Sequence, residues 1–147
     1  MKKIDIGKKE NIHLIGIGGI GMSGLAKIMK TIGLKVQGSD LKKNKNIDEC
    51  KKLGIKIFIG HSSSNIKKAT LIVKSSAVNN SNKEIKEAKR RKLPIFKRAE
   101  MLANIISLKK NIIITGSHGK TTTTSLVSKI LSESKLDPTI INGGVIN

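Results

Sequence analysis

The chain has few aromatic residues and a single cysteine. Its 147 residues include no tryptophan or tyrosine, and Phe58 and Phe96 are its two phenylalanines. Proteins that bind single-stranded nucleic acid stack bases on aromatic side chains, and this sequence lacks such a platform. Because Cys50 is alone, an internal disulfide is excluded, and a free thiol in a reducing compartment is the preferred interpretation.

Acidic residues are also scarce. Ten Asp and Glu stand against 29 Lys and Arg, which gives a formal net charge of +19. Such an excess often indicates a nucleic-acid or anionic-membrane partner. Here the basic residues are spread along the chain and accompany abundant isoleucine and asparagine, which indicates a compositional bias. We therefore predict neither a specific nucleic-acid partner nor a membrane partner.

Long apolar runs are absent. The longest have the length of short strands, and residues 1–7 contain no apolar signal core, so we predict neither a membrane span nor an export signal. The 37% hydrophobic content suffices for one sizeable core at this length. A cytoplasmic globular protein is expected.

The most informative segment runs from Ile112 to Thr124. Ile112 to Thr115 have the pattern of a buried strand, Gly116 and Gly119 open a loop, and Lys120 begins a threonine-rich helix. The spacing GxxGKT is two residues shorter between its glycines than the general phosphate-loop pattern. Its glycines and helix start predict a nucleoside-triphosphate site, with Lys120 near the β- and γ-phosphates and Thr121 as a magnesium ligand. The alternative is a glycine-rich turn before an ordinary helix.

A second glycine turn lies between Ile12 and Asp40. An apolar strand, Ile12 to Ile17, leads into Gly16, Gly18 and Gly21, which fit GxGxxG; a helix ending at Gly33 and a strand, Lys35 to Gln37, follow. This order predicts a Rossmann-like nucleotide unit in which Asp40 accepts from a ribose hydroxyl. Two alternatives stay open: the dinucleotide site of an NAD-dependent oxidoreductase, and glycines that serve only tight packing.

The rest of the chain predicts a parallel α/β domain followed by the start of another. We place the first domain at residues 1–107 and the second at 108–147. The remaining predicted elements are a helix at Ile47 to Leu53 ended by Gly54, strands at Ile55 to Ile59 and Thr70 to Lys74, a charged helix from the loop Asn79 to Asn82 to Lys92, a strand at Ile95 and Phe96, and a helix at Arg98 to Ser107.

Several segments together carry a resemblance to a known family. They are HLIGIGGIGMSGLA at His13 to Ala26, GSD at Gly38 to Asp40, SSA at Ser75 to Ala77, RAEML at Arg98 to Leu102, TGSHGKTTTT at Thr115 to Thr124, LDPT at Leu136 to Thr139 and NGG at Asn142 to Gly144. In this order they resemble the amino-terminal part of the Mur ligases, the ATP-dependent amino-acid-adding enzymes of peptidoglycan synthesis.

The resemblance implies a Rossmann-like domain that binds a UDP-sugar and a second, ATP-binding domain. The branch it most resembles joins L-alanine to UDP-N-acetylmuramate through an acyl phosphate, with ATP and Mg²⁺. The implied substrate-binding residues are Gly18, Gly19, Gly21, Met22, Ser23, Asp40, Ser75 and Ser76. The implied ATP-binding residues are Gly116, Ser117, His118, Gly119, Lys120, Thr121 and Thr122, of which Lys120 and Thr121 are catalytic and Thr121 holds the metal.

Family members are several hundred residues long, so we expect a partial chain that lacks most of the ATP domain and is inactive alone. Further alternatives are the related ligase that attaches a peptide to the same UDP-sugar, and a non-catalytic nucleotide-sugar-binding remnant. Arg98 and His61 each have two interpretations. Arg98 either meets a phosphate or pairs with Glu100, and His61 either touches the nucleotide or lies in a turn.

Overall fold

A computed structural model describes residues 10–108 and 110–140. Contacts within the chain divide it into two compact units, residues 1–109 and 110–147. Residues 1–7, considered above for a signal sequence, and the NGG segment at 142–144 lie outside the described residues. So does Lys109, the second residue of the predicted second domain.

The first unit is built on a parallel sheet of five strands in the order β3-β2-β1-β4-β5. The strands are β1 (Asn11–Ile15), β2 (Lys35–Asp40), β3 (Lys56–Ile59), β4 (Leu71–Lys74) and β5 (Ile95–Lys97). This confirms the predicted α/β class. The strand order reverses direction beside β1, and in open α/β sheets ligands bind outside the carboxyl ends of the strands at such a point.

Four helices cover the sheet: α1 (Ile20–Thr31), α2 (Lys45–Lys52), α3 (Lys83–Arg90) and α4 (Arg98–Ser107). As predicted, Gly33 and Gly54 follow the ends of α1 and α2, with φ of +87° and +72° that glycine adopts without strain. A short 3₁₀ helix at Ser63–Ile66 was not predicted. No helix of the described residues is long and apolar enough to cross a membrane.

The core lies on both faces of the sheet. Alternate residues of β1 point to opposite faces: Leu14 joins the cluster under α1, α2 and α4, whereas Ile15 joins the cluster under α3 and the 3₁₀ helix. Cys50 is fully buried in the first cluster, between the charged residues Glu49 and Lys51 of α2. Burial raises the pKa of its thiol, which keeps the free cysteine protonated and unreactive.

The second unit contains α5 (Lys120–Glu133), which begins where the sequence predicts. The predicted strand at Ile112 to Thr115 is wrong, because residues 111–116 have no regular secondary structure. A strand forms only by pairing with a neighbour, and the described residues of this unit contain no other strand. Ile112 and Ile113 are 65% and 71% exposed, as expected for a strand-like segment without a sheet.

Candidate functional site

The first glycine turn connects β1 to α1 at the carboxyl edge of the sheet. Gly16 has a φ of +82°, and a Cβ there would lie 3.0 Å from the Cβ of Ser75. The N–H groups of Gly16 and Ile17 both donate to the carbonyl of Ser39, at 2.8 and 3.1 Å. These contacts tie the turn to the ends of β2 and β4.

Three polar side chains hold Gly18 in the middle of this turn. Asp40 Oδ2 accepts from the Gly18 N–H at 2.8 Å, and the side-chain amides of Asn44 and Asn46 donate to the Gly18 carbonyl at 3.1 and 2.8 Å. A Cβ on Gly18 would lie 2.8 Å from Asn44 Nδ2 and 2.9 Å from Asp40 Oδ2, so a larger residue would displace the side chains that hold the turn. Asp40 therefore orders the turn, while its predicted ribose contact stays a prediction.

Beyond Gly18 the turn exposes backbone donors at the start of α1. Gly19 and Gly21 are exposed, and the N–H groups of Ile20 and Gly21 have no acceptor within residues 10–108 and 110–140. The first turn of α1 contains no acidic residue. Free N–H groups at the positive end of a helix dipole form a site for an anion such as a diphosphate.

Arg98 adds a positive charge to this turn. A Cβ built on Gly21 would lie 3.1 Å from both Cδ and Nη1 of Arg98, so the two residues are in contact. Glu100 accepts instead from the backbone N–H of Lys97 at 2.7 Å, and Arg98 has no hydrogen-bond or ion-pair partner in the described part of the chain. Of the two interpretations of Arg98, the geometry favours the anion contact over the pair with Glu100.

The other predicted substrate residues fall into two groups. Met22 and Ser23 are 2% and 3% exposed, and the Ser23 hydroxyl donates to the Ile20 carbonyl, so these side chains belong to the core. Ser75 and Ser76 follow β4 beside the glycine turn, where Ser75 N donates to the Ile15 carbonyl and Ser76 is exposed. The structure thus brings the glycines, Asp40 and the two serines to one edge of the sheet.

An open pocket of about 290 Å³ lies at this same edge. Its lining comes from the segments that follow β2, β3 and β4, and consists of Leu41, His61, Ala77, Val78, Asn79, Ser81 and Asn82. Most of these positions carry no motif, so only their place after adjacent strands could have signalled them. A concave site with apolar walls and a few polar groups is typical of small-ligand binding.

A buried carboxylate lies behind the pocket. Glu84 is fully buried and accepts hydrogen bonds from Ser39 Oγ at 2.6 Å, Asn65 Nδ2 at 2.7 Å and His61 Nδ1 at 2.9 Å. His13 Nε2 lies 3.6 Å from Glu84 Oε1. Burial alone would raise the pKa of Glu84, but the interaction with His13 and the hydrogen bonds from Ser39 and Asn65 together outweigh it and lower the pKa.

This lowered pKa makes the stability of the fold depend on pH. A carboxyl whose pKa is lower in the folded than in the unfolded state stabilises the fold above its unfolded value, near 4.5, and this contribution disappears as the pH falls through the folded pKa. We expect the free energy of unfolding to fall with acidification below pH 4.5, and to fall less in Glu84→Gln. Urea unfolding over a pH series measures both, and equal acid dependence in the two proteins would contradict this account.

The second glycine turn precedes α5. Gly116 and Gly119 have φ of +153° and +75°, and Thr123 N donates to the Gly119 carbonyl at 2.9 Å. The Lys120 ammonium donates to the carbonyls of Gly116 and Ser117, at 2.5 and 3.1 Å, which folds this side chain over its own loop. All residues from Gly116 to Thr122 are exposed.

These residues fit a polyphosphate better than they fit a complete metal site. The N–H groups of Lys120, Thr121 and Thr122 have no acceptor among the described residues, and the Lys120 charge lies beside them. For magnesium, Thr121 supplies one exposed hydroxyl. The described residues contain no cluster of three acidic, histidine or cysteine side chains that would complete its coordination.

The sequence matches a known protein family. The model of the Mur ligase family, catalytic domain, matches residues 11–110, about two thirds of the chain. The chain belongs to the Mur ligase family. The match covers the sheet, the first glycine turn and Arg98, and ends before the second glycine turn, whose role stays a prediction.

Curated relatives carry the resemblance further along the chain. The chain is 65% identical over 145 residues to the UDP-N-acetylmuramate–L-alanine ligase of Pelagibacter ubique. The match covers 99% of this chain and 31% of the relative. The chain is 55% identical over 138 residues to the enzyme of the same name from Rickettsia bellii, covering 94% of this chain and 29% of the relative. The chain therefore spans about a third of the length of these relatives.

Solved structures agree with the fold. The UDP-N-acetylmuramate-alanine ligase of Thermotoga maritima matches with a TM-score of 0.80 and 36% identity, covering 93% of this chain and 32% of that one. The UDP-N-acetylmuramate:L-alanyl-gamma-D-glutamyl-meso-diaminopimelate ligase of Neisseria meningitides matches with a TM-score of 0.78 and 30% identity, covering 92% and 43%.

Proposed function

We propose that this chain is the amino-terminal portion of an ATP-dependent ligase that joins L-alanine to UDP-N-acetylmuramate. The observation that carries the proposal is the glycine turn after β1, where two free backbone N–H groups lie beside the unpaired Arg98, which contacts Gly21. Its support comes from relatives of 65% and 55% identity that bear this activity in their names.

In this proposal residues 1–107 bind the UDP-sugar. The diphosphate lies against the N–H groups of Ile20 and Gly21, with the Arg98 guanidinium offsetting its charge. The pocket lined by Leu41, His61 and the segment after β4 receives another part of the nucleotide, and Ser75, which lies against Gly16, and Ser76 directly precede the pocket residue Ala77. Asp40 contributes by holding Gly18 in place.

Residues 108–147 begin the ATP-binding part. Gly116 to Thr122 hold the polyphosphate of ATP, with Lys120 as the positive charge and Thr121 toward Mg²⁺. When bound, ATP supplies the phosphoryl group that activates the substrate carboxylate for attack by the amine of L-alanine. The single cysteine, free and buried, suits the reducing cytoplasm in which we place the protein.

A second candidate is the ligase that attaches a preformed peptide to the same UDP-sugar. The Neisseria meningitides structure favours it, because its TM-score of 0.78 is close to the 0.80 of the alanine ligase. Both candidates share the UDP-sugar site and differ in the amino component. We favour L-alanine because the names of the 65% and 55% identical relatives specify it.

Titration calorimetry with UDP-N-acetylmuramate tests the proposed site. We expect the wild-type chain to bind, and Arg98→Ala to bind about tenfold or more weakly, because a charge-assisted contact to the diphosphate contributes about 1.5 to 3 kcal/mol. The measured quantity is the dissociation constant at fixed salt.

Lys97→Ala is the matched control, since it removes the neighbouring exposed cation that precedes α4. It should leave the affinity within about twofold, because an exposed charge away from the ligand contributes little. Absence of binding heat and of competition in the wild-type chain would contradict the proposed function. Equal weakening in the two variants would contradict the role of Arg98.

A further inference from the structure

The buried Glu84 touches a histidine that lines the pocket, which gives this carboxylate a path to the ligand. Its Oε2 lies 2.9 Å from His61 Nδ1, and His61 is one of the pocket-lining residues. Glu84 itself is fully buried and does not line the pocket. The Glu84 carboxylate contacts His13, Ser39, His61 and Asn65, and of these four residues His61 lines the pocket.

The hydrogen-bond partners of His13 show which of its two ring nitrogens carries the proton. Gln37 Nε2 donates to the Asn65 carbonyl at 2.9 Å, which identifies it as the amide nitrogen, and it also lies 3.1 Å from His13 Nδ1. His13 Nδ1 is therefore an acceptor, and the proton lies on Nε2, which faces Ser39 Oγ at 3.3 Å.

The same reasoning applies to His61. An ionised carboxylate only accepts, and Ser39 Oγ uses its own hydrogen toward Glu84 Oε2. The Nδ1 of His61, close to both, must therefore carry the proton. Nε2 has no partner among the described residues, and the His61 side chain is only 13% exposed.

We propose that Glu84 is a positioning residue that holds His61 in the Nδ1–H form and so presents Nε2 to the pocket as a hydrogen-bond acceptor. The pocket then selects a ligand with an N–H or O–H donor at that point. This inference rests on the proposed function, because it takes the ligand to be a uridine diphosphate. Uridine offers two sources of that donor: the imide N–H of the base and the ribose hydroxyls.

The pocket size and walls suit this ligand. A space of about 290 Å³ accommodates a nucleoside-sized group, and the side chains of Leu41, Ala77 and Val78 provide apolar walls for a flat ring. Once a bound ligand covers Nε2, leaving this acceptor without a donor costs about 1 to 3 kcal/mol, so this single contact can discriminate between ligands.

The experiment titrates the full chain with UDP, with UDP methylated at N3 of the base, and with 2′-deoxy-UDP. In the wild type, removing the donor that meets His61 should weaken binding about tenfold, and the other analogue should bind like UDP. A tenfold loss with the methylated base assigns the contact to the imide, and the same loss with the deoxy sugar assigns it to the ribose.

In Glu84→Gln and in His61→Leu, the loss of affinity caused by that same analogue should shrink to about twofold or less. Nε2 is no longer held as an acceptor in the first variant and is absent from the second. Glu87→Gln is the control on the same helix, since Glu87 pairs with Arg90 at the surface. Glu87→Gln should bind UDP and the two analogues with the same ratios of affinity as the wild type.

Nitrogen NMR of the imidazole provides a readout that a structural role alone does not change. We expect an unprotonated Nε2 and a protonated Nδ1 for His61 in the wild type, and a mixture of the two forms in Glu84→Gln. If Glu84→Gln does not fold, the wild-type spectrum and the His61→Leu titrations still decide.

The proposal is overturned if both analogues bind the wild type as UDP does, if His61 Nε2 carries a proton, or if Glu84→Gln discriminates between the ligands as the wild type does. Binding of UDP-N-acetylmuramate in calorimetry together with any of these results refutes this inference alone. Absence of that binding refutes the proposed function.

Discussion

Replacing Lys120 by alanine is expected to slow ligation roughly 10² to 10³-fold in a completed chain, the range observed when one preorganised electrostatic contact to a transition state is removed. In the completed chain, the 147 residues of this protein are followed by the part of the Pelagibacter ubique relative that lies beyond the matched region. Lys120 already lies over its loop, donating to the Gly116 and Ser117 carbonyls. Phosphate release with UDP-N-acetylmuramate, L-alanine and ATP measures the rate.

Lys129→Ala is the control for this prediction. Lys129 is an exposed cation of the same helix, 4.0 Å from Glu133 Oε1, and lies away from the loop. Its loss should change the rate by less than about twofold. Equal rates for Lys120→Ala and the unsubstituted chain would show that the second glycine turn does not hold the transferring phosphate.

Replacing Gly38 by alanine is expected to lower the free energy of unfolding by about 1 to 3 kcal/mol, the usual cost of overpacking a core. A Cβ at Gly38 would lie 2.5 Å from Ile17 Cδ1 and 2.8 Å from the Leu14 carbonyl oxygen. The carbonyl belongs to the central strand β1, so it has little freedom to move away. Urea unfolding measures the loss, which is large beside a typical stability of 5 to 15 kcal/mol.

Gly19→Ala provides the comparison, because a Cβ there meets nothing closer than the Gly16 carbonyl at 3.5 Å and the backbone φ is −65°. It should cost less than about 1 kcal/mol, the scale of a changed helix cap. A Gly38→Ala protein as stable as Gly19→Ala would mean that β1 and β2 are less rigidly packed than the structure indicates.

Much of the first unit could be predicted from local sequence. Apolar runs of strand length and glycines at helix ends indicate the five strands and the helices, and α4 begins and ends at the predicted residues, Arg98 and Ser107. These signals are local, because backbone conformation at glycine and hydrophobic periodicity act within a few residues. The edge of the sheet that carries the glycine turn follows from them.

The failures concern interactions between distant segments. Ile112 to Thr115 have strand composition, but pairing requires a partner that the described residues of the second unit do not contain. Cys50 has charged neighbours in sequence, Glu49 and Lys51, yet its side chain faces the core. Composition alone identifies neither a pairing partner nor the buried face of a short helix.

The candidate site was only partly predictable for the same reason. Glu84 meets His13 and His61 across 71 and 23 positions of sequence, and no local motif indicates that meeting. The amides of Asn44 and Asn46, at the start of α2, donate to the Gly18 carbonyl, and no local motif predicts these contacts. The glycine motif indicates where an anion binds, whereas the supporting residues become visible only in the folded structure.

A crystal of this chain soaked with UDP-N-acetylmuramate tests the central claim most directly. The account predicts that diphosphate oxygens lie about 3 Å from the backbone nitrogens of Ile20 and Gly21 and within hydrogen-bond distance of the Arg98 guanidinium. A nucleotide bound elsewhere on the first unit, with this turn left free of phosphate, would contradict it.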